Sequence, residues 1–442
     1  MKNLLLLSCS LGFFLGNAQN IFFTDNLLKG ALINDPLVGY STSFIDLNGN
    51  ILESVDTNND GEISISEAQN IEHIDFYYLP FTNVEGLQFF TNVKSIYSLN
   101  SILTSFSLPE LVNLEKLTLE AASGQQTLTS FDVSGNLNLK ILELNTASAS
   151  TIDLSNNITL RELRISSGST ITNLNLDNLG NLRKFSYYGN LSTLDLSDCI
   201  KLIEISIGFS TAQDIQLSAI DLSNQPLLAN LYISNTQITS LDLSNNVNLD
   251  YVYVPGNLLQ SINFGGISYV RTLYCENNQL TSLNLNNFQN LDLLSCASNN
   301  LTELRIRNFA FEDYIDFSGN PNLAYICCDA EQEVYIQNQA LSYGNFDAVV
   351  DSSCESNGIL GVGLTNTVDN TITIFPNPTK NYLTVSTTAA IENVEIYDYN
   401  GRLIRTFKNV SEKIDVTNMQ AGMYFIKANS DEGFVTGKFI KE

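Results

Sequence analysis

One spacing limits what this chain can fold into. Apolar residues recur every 21 positions: Leu231, Val252, Leu273 and Leu294; Ile233, Val254, Cys275 and Cys296; Ile238, Leu259, Leu280 and Leu301; Leu241, Ile262, Leu283 and Leu304. Asn257, Asn278 and Asn299 keep the same step. A fixed period of this length means one supersecondary unit, repeated and stacked. A single unit cannot bury its apolar side, but a neighbour can cover it. The consensus, L-x-x-L-x-L/C-x-x-N-x-L-T-x-L-x-L, is cleanest in VRTLYCENNQLTSLNL and LDLLSCASNNLTELRI. Within L-x-x-L-x-L the last two apolar residues alternate, which suits a short strand with one buried face. The asparagine turns inward to satisfy backbone groups where the chain bends. The second half, L-x-L or LDLS, is a return leg without helical period. The expected fold is therefore mainly β, a solenoid built on a parallel sheet.

These motifs resemble the leucine-rich repeat. Looser units precede the regular ones, at Val93/Ile96, Leu114/Leu117/Leu119, Leu139/Leu142/Leu144, Leu160/Leu163/Ile165, Leu182/Phe185/Tyr187 and Leu202/Ile205/Ile207. Insertions such as Ala121 to Gln126 should bulge as loops, and about ten units are counted in all. Cys275 and Cys296 fall on inward positions and read as reduced core thiols. Cys199, in LDLSDCIKL, sits in a turn and reads as unpaired.

Composition removes several chemistries. The 442 residues contain one histidine, His73, and no tryptophan. A multi-histidine metal site cannot be built, and a Ser-His-Asp arrangement would have to use His73. His73 itself reads as a cap or surface residue. The formal net charge of −26 makes nucleic acid and anionic membrane surfaces poor partners. Carboxylate chemistry of the glycosidase kind stays open, but it needs two carboxyls roughly 5 to 10 Å apart in a cleft. The sequence shows no such pair. The aspartates of the LDLS turns, Asp153, Asp195, Asp221 and Asp242, read as solvated turn residues.

The ends carry separate signals. Residues 1–18 read as a secretory signal peptide: Lys2, an apolar run from Leu4 to Leu15, and a small-residue cleavage site ending at Ala18. No other apolar segment is long enough for a transmembrane span. Residues 19–85 form an N-terminal cap containing DTNNDGEISISE, Asp56 to Glu67. This fits the twelve-residue EF-hand loop. Asp56, Asn58 and Asp60 take ligand positions 1, 3 and 5, Gly61 the sharp turn, and Ile63 the apolar position. Glu62 would ligate through its carbonyl, Ser64 through water, and Glu67 with both carboxylate oxygens. Hard oxygen donors at this spacing suit Ca2+. A single loop without a target groove points to a structural cofactor that locks the cap.

Repeats span 86–328, a C-terminal cap 329–357 and a linker 358–370. Residues 371–442 read as short alternating strands with Asn400-Gly401 as a tight turn. This module resembles the type A C-terminal sorting domain of the type IX secretion system of Bacteroidota. The matching residues are Pro376-Asn377-Pro378, Leu383, Ile396, Tyr397, Gly401, Asp415, Gly422-Met423-Tyr424 and Lys438 to Lys441. The resemblance implies a small β-sandwich, contact with the secretion machinery, and a secreted or cell-surface destination. The whole chain resembles flavobacterial secreted leucine-rich repeat proteins. In such proteins a cysteine beside the last strand pairs with one ending the cap, which implies Cys327–Cys354, with Cys328 as the alternative partner.

Residues between the buried leucines should line the concave face. In successive units these are Tyr97, Thr118, Glu143, Arg164, Ser186, Ser206, Tyr232, Tyr253, Tyr274 and Ser295. Tyr232, Tyr253 and Tyr274 should stack, with Tyr251 and Tyr325 beside them. Amphipathic tyrosines on a preformed sheet suit protein or glycan contact. A ladder that only stabilises its strands is the plainer alternative. The expectation is a secreted binding or adhesion protein, not an enzyme. A surface glycan hydrolase and a purely structural surface component are the alternatives.

Overall fold

The computed structural model describes residues 19–354 and 372–442, apart from 39–40, 122–127, 146–150, 170, 172, 190, 209–215, 387–389, 399–401, 409–412 and 431–432. The expected signal peptide, linker and Asn400-Gly401 turn, and nearly all of the expected loop at Ala121 to Gln126, lie outside the described residues. The chain divides into two compact units, Met1–Leu228 with Asn235–Gln237, and Ala229–Ser234 with Ile238–Glu442.

In the first unit an antiparallel start gives way to a parallel ladder. Ser41–Asp46 pairs antiparallel with both Ile51–Leu52 and Ile71–Tyr77. From Ile71–Tyr77 onward the strands run parallel: Ser95–Ser101, Lys116–Ala121, Ile141–Asn145, Glu162–Ser169, Lys184–Gly189 and Glu204–Ile207. The register keeps equivalent repeat positions level, so Leu117, Leu142, Leu163, Phe185 and Ile205 form one buried row.

The second unit repeats this with Asn230–Ile233, Tyr251–Tyr253, Thr272–Tyr274, Leu293–Ser295 and Tyr314–Asp316. Return legs pair among themselves, and the last such sheet orders Ser282–Asn284, Glu303–Ile306, Tyr325–Cys328 and Val349–Asp351. The fold is mainly β, a parallel-sheet solenoid of the leucine-rich repeat kind.

The asparagine row does what its spacing predicts. Asn278 donates to the carbonyls of Val254 (2.9 Å) and Cys275 (3.1 Å), while its Oδ1 accepts from Leu259 N at 3.0 Å. Asn299 donates to Cys275 O and accepts from Leu280 N, both at 3.0 Å. Each asparagine thus joins one coil to the next and fills buried backbone groups that would otherwise be costly. Cys275, Cys296 and Cys199 are fully buried free thiols. Burial pushes the Cys199 thiol up to about 12.

Continuing the 21-residue step corrects one placement. Asn320 extends the asparagine row, donating to Cys296 O at 3.0 Å. Ile315 extends the buried strand row from Leu294. Tyr325 therefore does not stand beside Tyr274. Its strand pairs with Glu303–Ile306 in the return sheet. NPNLAYICC mimics the strand motif, but the unbroken 21-residue step had already placed that unit's strand at Tyr314–Asp316.

The C-terminal module forms two antiparallel sheets. Tyr382–Ser386 pairs with Thr373–Phe375 and Ile414–Asp415, while Gly422–Ser430 pairs with Asn393–Tyr397 and Gly433–Lys441. Leu383, Val394, Ile396, Ile426 and Phe439 lie in their common core. Asn377 fastens the start to the last strand, donating to Lys438 O and accepting from Ile440 N.

Candidate functional site

The tyrosine positions follow directly from the register. Tyr232, Tyr253 and Tyr274 occupy one row, followed by Ser295 and Asp316. Tyr251 lies on the adjacent row with Thr272, Leu293 and Tyr314. Buried leucine and valine positions alternate with these outward ones, so the rings stand on the sheet's outer face. Their centroids are 5.0 Å apart for Tyr232–Tyr251, 6.3 Å for Tyr232–Tyr253, 6.5 Å for Tyr251–Tyr274 and 5.8 Å for Tyr253–Tyr274. All four are half-buried. Burial, then neighbouring phenols and Glu276, push the Tyr251 phenol up, and Tyr253 shifts the same way from burial, Glu276 and Tyr274. Both rings are therefore neutral at physiological pH.

Two further residues join this face, and one of them, Tyr314, keeps the 21-residue step from Leu293. Tyr314, 46% exposed, takes the place given to Tyr325. Glu276 stands just beyond Tyr274, and its Oε2 is buried without a hydrogen-bond partner among the described residues. Tyr325 is engaged elsewhere: its hydroxyl donates to Asp351 at 2.9 Å and its ring lies under Arg305, 5.6 Å from the guanidinium carbon.

The outer face of the first unit differs. Thr118 donates to Glu143 at 2.8 Å, and Arg164 lies over the Tyr188 ring at 5.7 Å. Glu120, Glu143 and Arg164 line a shallow open depression. Of the return-side turn residues, Asp153, Asp195, Asp221 and Asp242 are exposed, and each accepts the backbone N–H two residues on, at 2.9 to 3.0 Å. These are Asx-turns.

The Asp56 to Glu67 loop is held by hydrogen bonds from its own backbone. Gly61 adopts φ 80°, and Ile63 is fully buried. Asp56 accepts from the N–H groups of Asp60 (3.2 Å) and Gly61 (2.8 Å). Asn58 accepts from Asp60 N, and Asp60 from Glu62 N. Glu67 Oε1 accepts from Thr57 N and Oγ1, at 2.9 and 3.0 Å. Its Oε2 accepts from Ser64 N and Oγ, both at 2.9 Å, closing a capping box on the helix Ile65–Ala68. Burial raises the Glu67 pKa, but these bonds outweigh it and the net shift is downward. Among the described residues, no group of three or more His, Cys, Asp or Glu side chains is arranged to hold a metal ion. His73 is half-buried on Ile71–Tyr77, in register with Ile45 and Ser95.

At the other end, Cys327 and Cys354 form a disulfide with Cα atoms 5.1 Å apart. Cys328 is a buried free thiol on the inward side.

Residues 373–442 match the family described as the secretion system C-terminal sorting domain. The chain is accordingly a secreted or cell-surface protein that engages type IX secretion machinery. Among the described residues no helix is long and apolar enough to cross a membrane. No relative is found among curated proteins. Similar solved structures include an internalin (inlF) of Listeria monocytogenes, 17% identical, covering 74% of this chain and 88% of that one, with a TM-score of 0.45. The functional domain of InlJ from Listeria monocytogenes is 17% identical over 86% of this chain and 93% of that one, with a TM-score of 0.33. The Leptospira interrogans LRR protein LIC12759 is 16% identical over 65% and 74%, with a TM-score of 0.38.

Proposed function

We propose that the mature protein is a binding or adhesion protein that recognises a protein or glycan through the outer face of its strand sheet. The observation that carries this reading is the cluster of Tyr232, Tyr251, Tyr253 and Tyr274, four half-buried rings within 6.5 Å of a neighbour. Stacked strands hold such rings at little cost in side-chain entropy, so contact with a partner orders little that is not already ordered. A Tyr232→Ala, Tyr253→Ala, Tyr274→Ala variant should lose binding on an array of glycans and surface proteins while keeping its circular dichroism spectrum. Undiminished binding would remove the face from the case. Turnover of a polysaccharide by the purified chain would favour a hydrolase instead, and self-association without any ligand a structural surface component.

Calcium fits the same reading as a structural ion. Asp56, Asn58 and Asp60 side chains, the Glu62 carbonyl, a water on Ser64 and the Glu67 carboxylate would hold it. The loop's own N–H bonds preshape the turn. Bidentate ligation would draw Glu67 Oε1 away from Thr57, so ion and capping interactions share one carboxylate.

A further inference from the structure

The next step rests on the tyrosine-face reading and names the chemistry of its ligand. Glu276 lies at the end of the strand that carries Tyr274, with one carboxylate oxygen buried and unpartnered among the described residues. Besides Tyr251 and Tyr253, it weighs on Tyr314, whose phenol is pushed up by burial first, then by Asp316, Tyr274 and Glu276. Gly256 N donates to Glu276 O at 3.0 Å, which sets Glu276 beside the coil that carries Tyr251 and Tyr253. An unpaired buried carboxylate oxygen is costly, and a ligand donor that is also cationic recovers most.

The rest of the face does not supply that cation. Asp250, Arg271, Asp292 and Asp313 keep the 21-residue step along the strand starts, so Asp250 and Asp292 flank the one guanidinium and Asp313 follows a coil further on. That guanidinium is already bidentate to Asp250, with Nε to Oδ1 at 2.6 Å and Nη2 to Oδ2. Asp316 continues the tyrosine row. Ring faces attract cations, and Arg or Lys over tyrosine gains more when it is also desolvated. Neutral glycans bring donors without charge, and anionic glycans meet uncompensated carboxylates.

We propose that this face takes an arginine- or lysine-bearing segment of a partner protein, with the cationic side chain over the Tyr253 and Tyr274 rings and against Glu276.

The test is calorimetric titration of the full chain with a short peptide alternating arginine and glycine, and with its glutamate counterpart. The arginine peptide should bind and the glutamate peptide should not. Glu276→Gln should weaken the arginine peptide at least about 10-fold without lowering the melting midpoint. Asp153→Asn, on the return side, should change it less than about twofold, which separates a local site from the general acidity of the chain. Equal affinity for both peptides, or no response to Glu276→Gln, would overturn the proposal. A neutral glycan or protein whose binding falls with the tyrosine triple variant and survives Glu276→Gln would also overturn it, yet leave the tyrosine-face reading standing. Arginine-peptide binding that survives loss of the three tyrosines would sink both.

Discussion

The two ends of the repeat stack are closed by different chemistry. The N-terminal cap is held by carboxylates that accept backbone N–H groups. Asp25 accepts from Leu27 and Leu28 at the start of helix Asn26–Leu32, and from Thr82 N (2.7 Å) and Oγ1 (2.9 Å), far along the chain. Asp46 accepts from Asn48 N, Asn50 N and the Asn50 amide, and Glu67 closes the capping box. The C-terminal cap is covalent, through Cys327–Cys354. Beside it, Glu312 is buried and accepts from the amides of Asn308 (2.9 Å) and Gln332 (2.6 Å). One end depends on ionised acids. The other depends on a bridge and on an acid that burial holds back from ionising. Proton activity, calcium and reductant should therefore act on different ends.

Reductant should give the largest effect. The bridge closes a loop with a sequence separation of 27. Its loss should lower stability by about 3 kcal/mol. Denaturant unfolding with and without reductant measures this, and hydrogen exchange should place the loosening at Val349–Asp351, not at Ser41–Asp46. Calcium is next, and under the proposed loop it should act at the opposite end. An ion present at a hundred times its Kd adds about 2.7 kcal/mol. Melting with and without chelator reads it, and an unmoved midpoint would count against the loop as a calcium site. Asp25→Ala follows, at about 2 kcal/mol, because it strips a helix cap and also orphans Thr82 N. Asp25→Asn should recover part of that.

How much of this was legible beforehand depends on what each residue answers to. The strand rows were readable because 21 residues make one coil, so Tyr232, Tyr253 and Tyr274 had to come into register. Glu67 was readable as the last residue of an acidic loop. Its double duty was visible too, since Ser64-Ile65-Ser66-Glu67 is a capping-box sequence. Tyr325 was misplaced because a local motif was trusted over the period. Extending Leu294 to Ile315 and Asn299 to Asn320 would have put YICC on the return side. Glu276 was missed for another reason. It occupies a variable position of the consensus, and only packing decides that one of its oxygens is buried. Glu312 lies in the same class: its burial depends on Asn308 and Gln332, which no period relates.

The smallest effect, a pH response, separates the caps by sign. Asp25, Asp46 and Glu67 all have folded pKa values below their ordinary ones; for Asp25 and Glu67 hydrogen bonds overcome burial, and for Asp46 the Asn50 bonds lead. A lowered carboxylate contributes stability above its unfolded pKa, and loses it as pH falls through the folded value. The N-terminal cap should therefore loosen below about pH 4. Glu312 runs the other way. Burial raises its pKa more than the Gln332 and Asn308 bonds lower it, so protonation favours the folded form and stability falls as pH rises past its ordinary range. Asp351, lowered by Ser353 and Tyr325 bonds against burial, opposes that trend within the same cap. Hydrogen exchange corrected for intrinsic rates, at pH 3.5 and pH 6, should thus show protection lost at Asn26–Leu32 and Ile65–Ala68 in acid, with little change at Tyr325–Cys328. Glu312→Gln should remove the opposing contribution and make the C-terminal cap follow Asp351 alone, losing protection in acid like the other end. If Glu312→Gln leaves the pH response of Tyr325–Cys328 unchanged, Glu312 does not offset Asp351 there, and the buried acid plays no part in the difference between the caps.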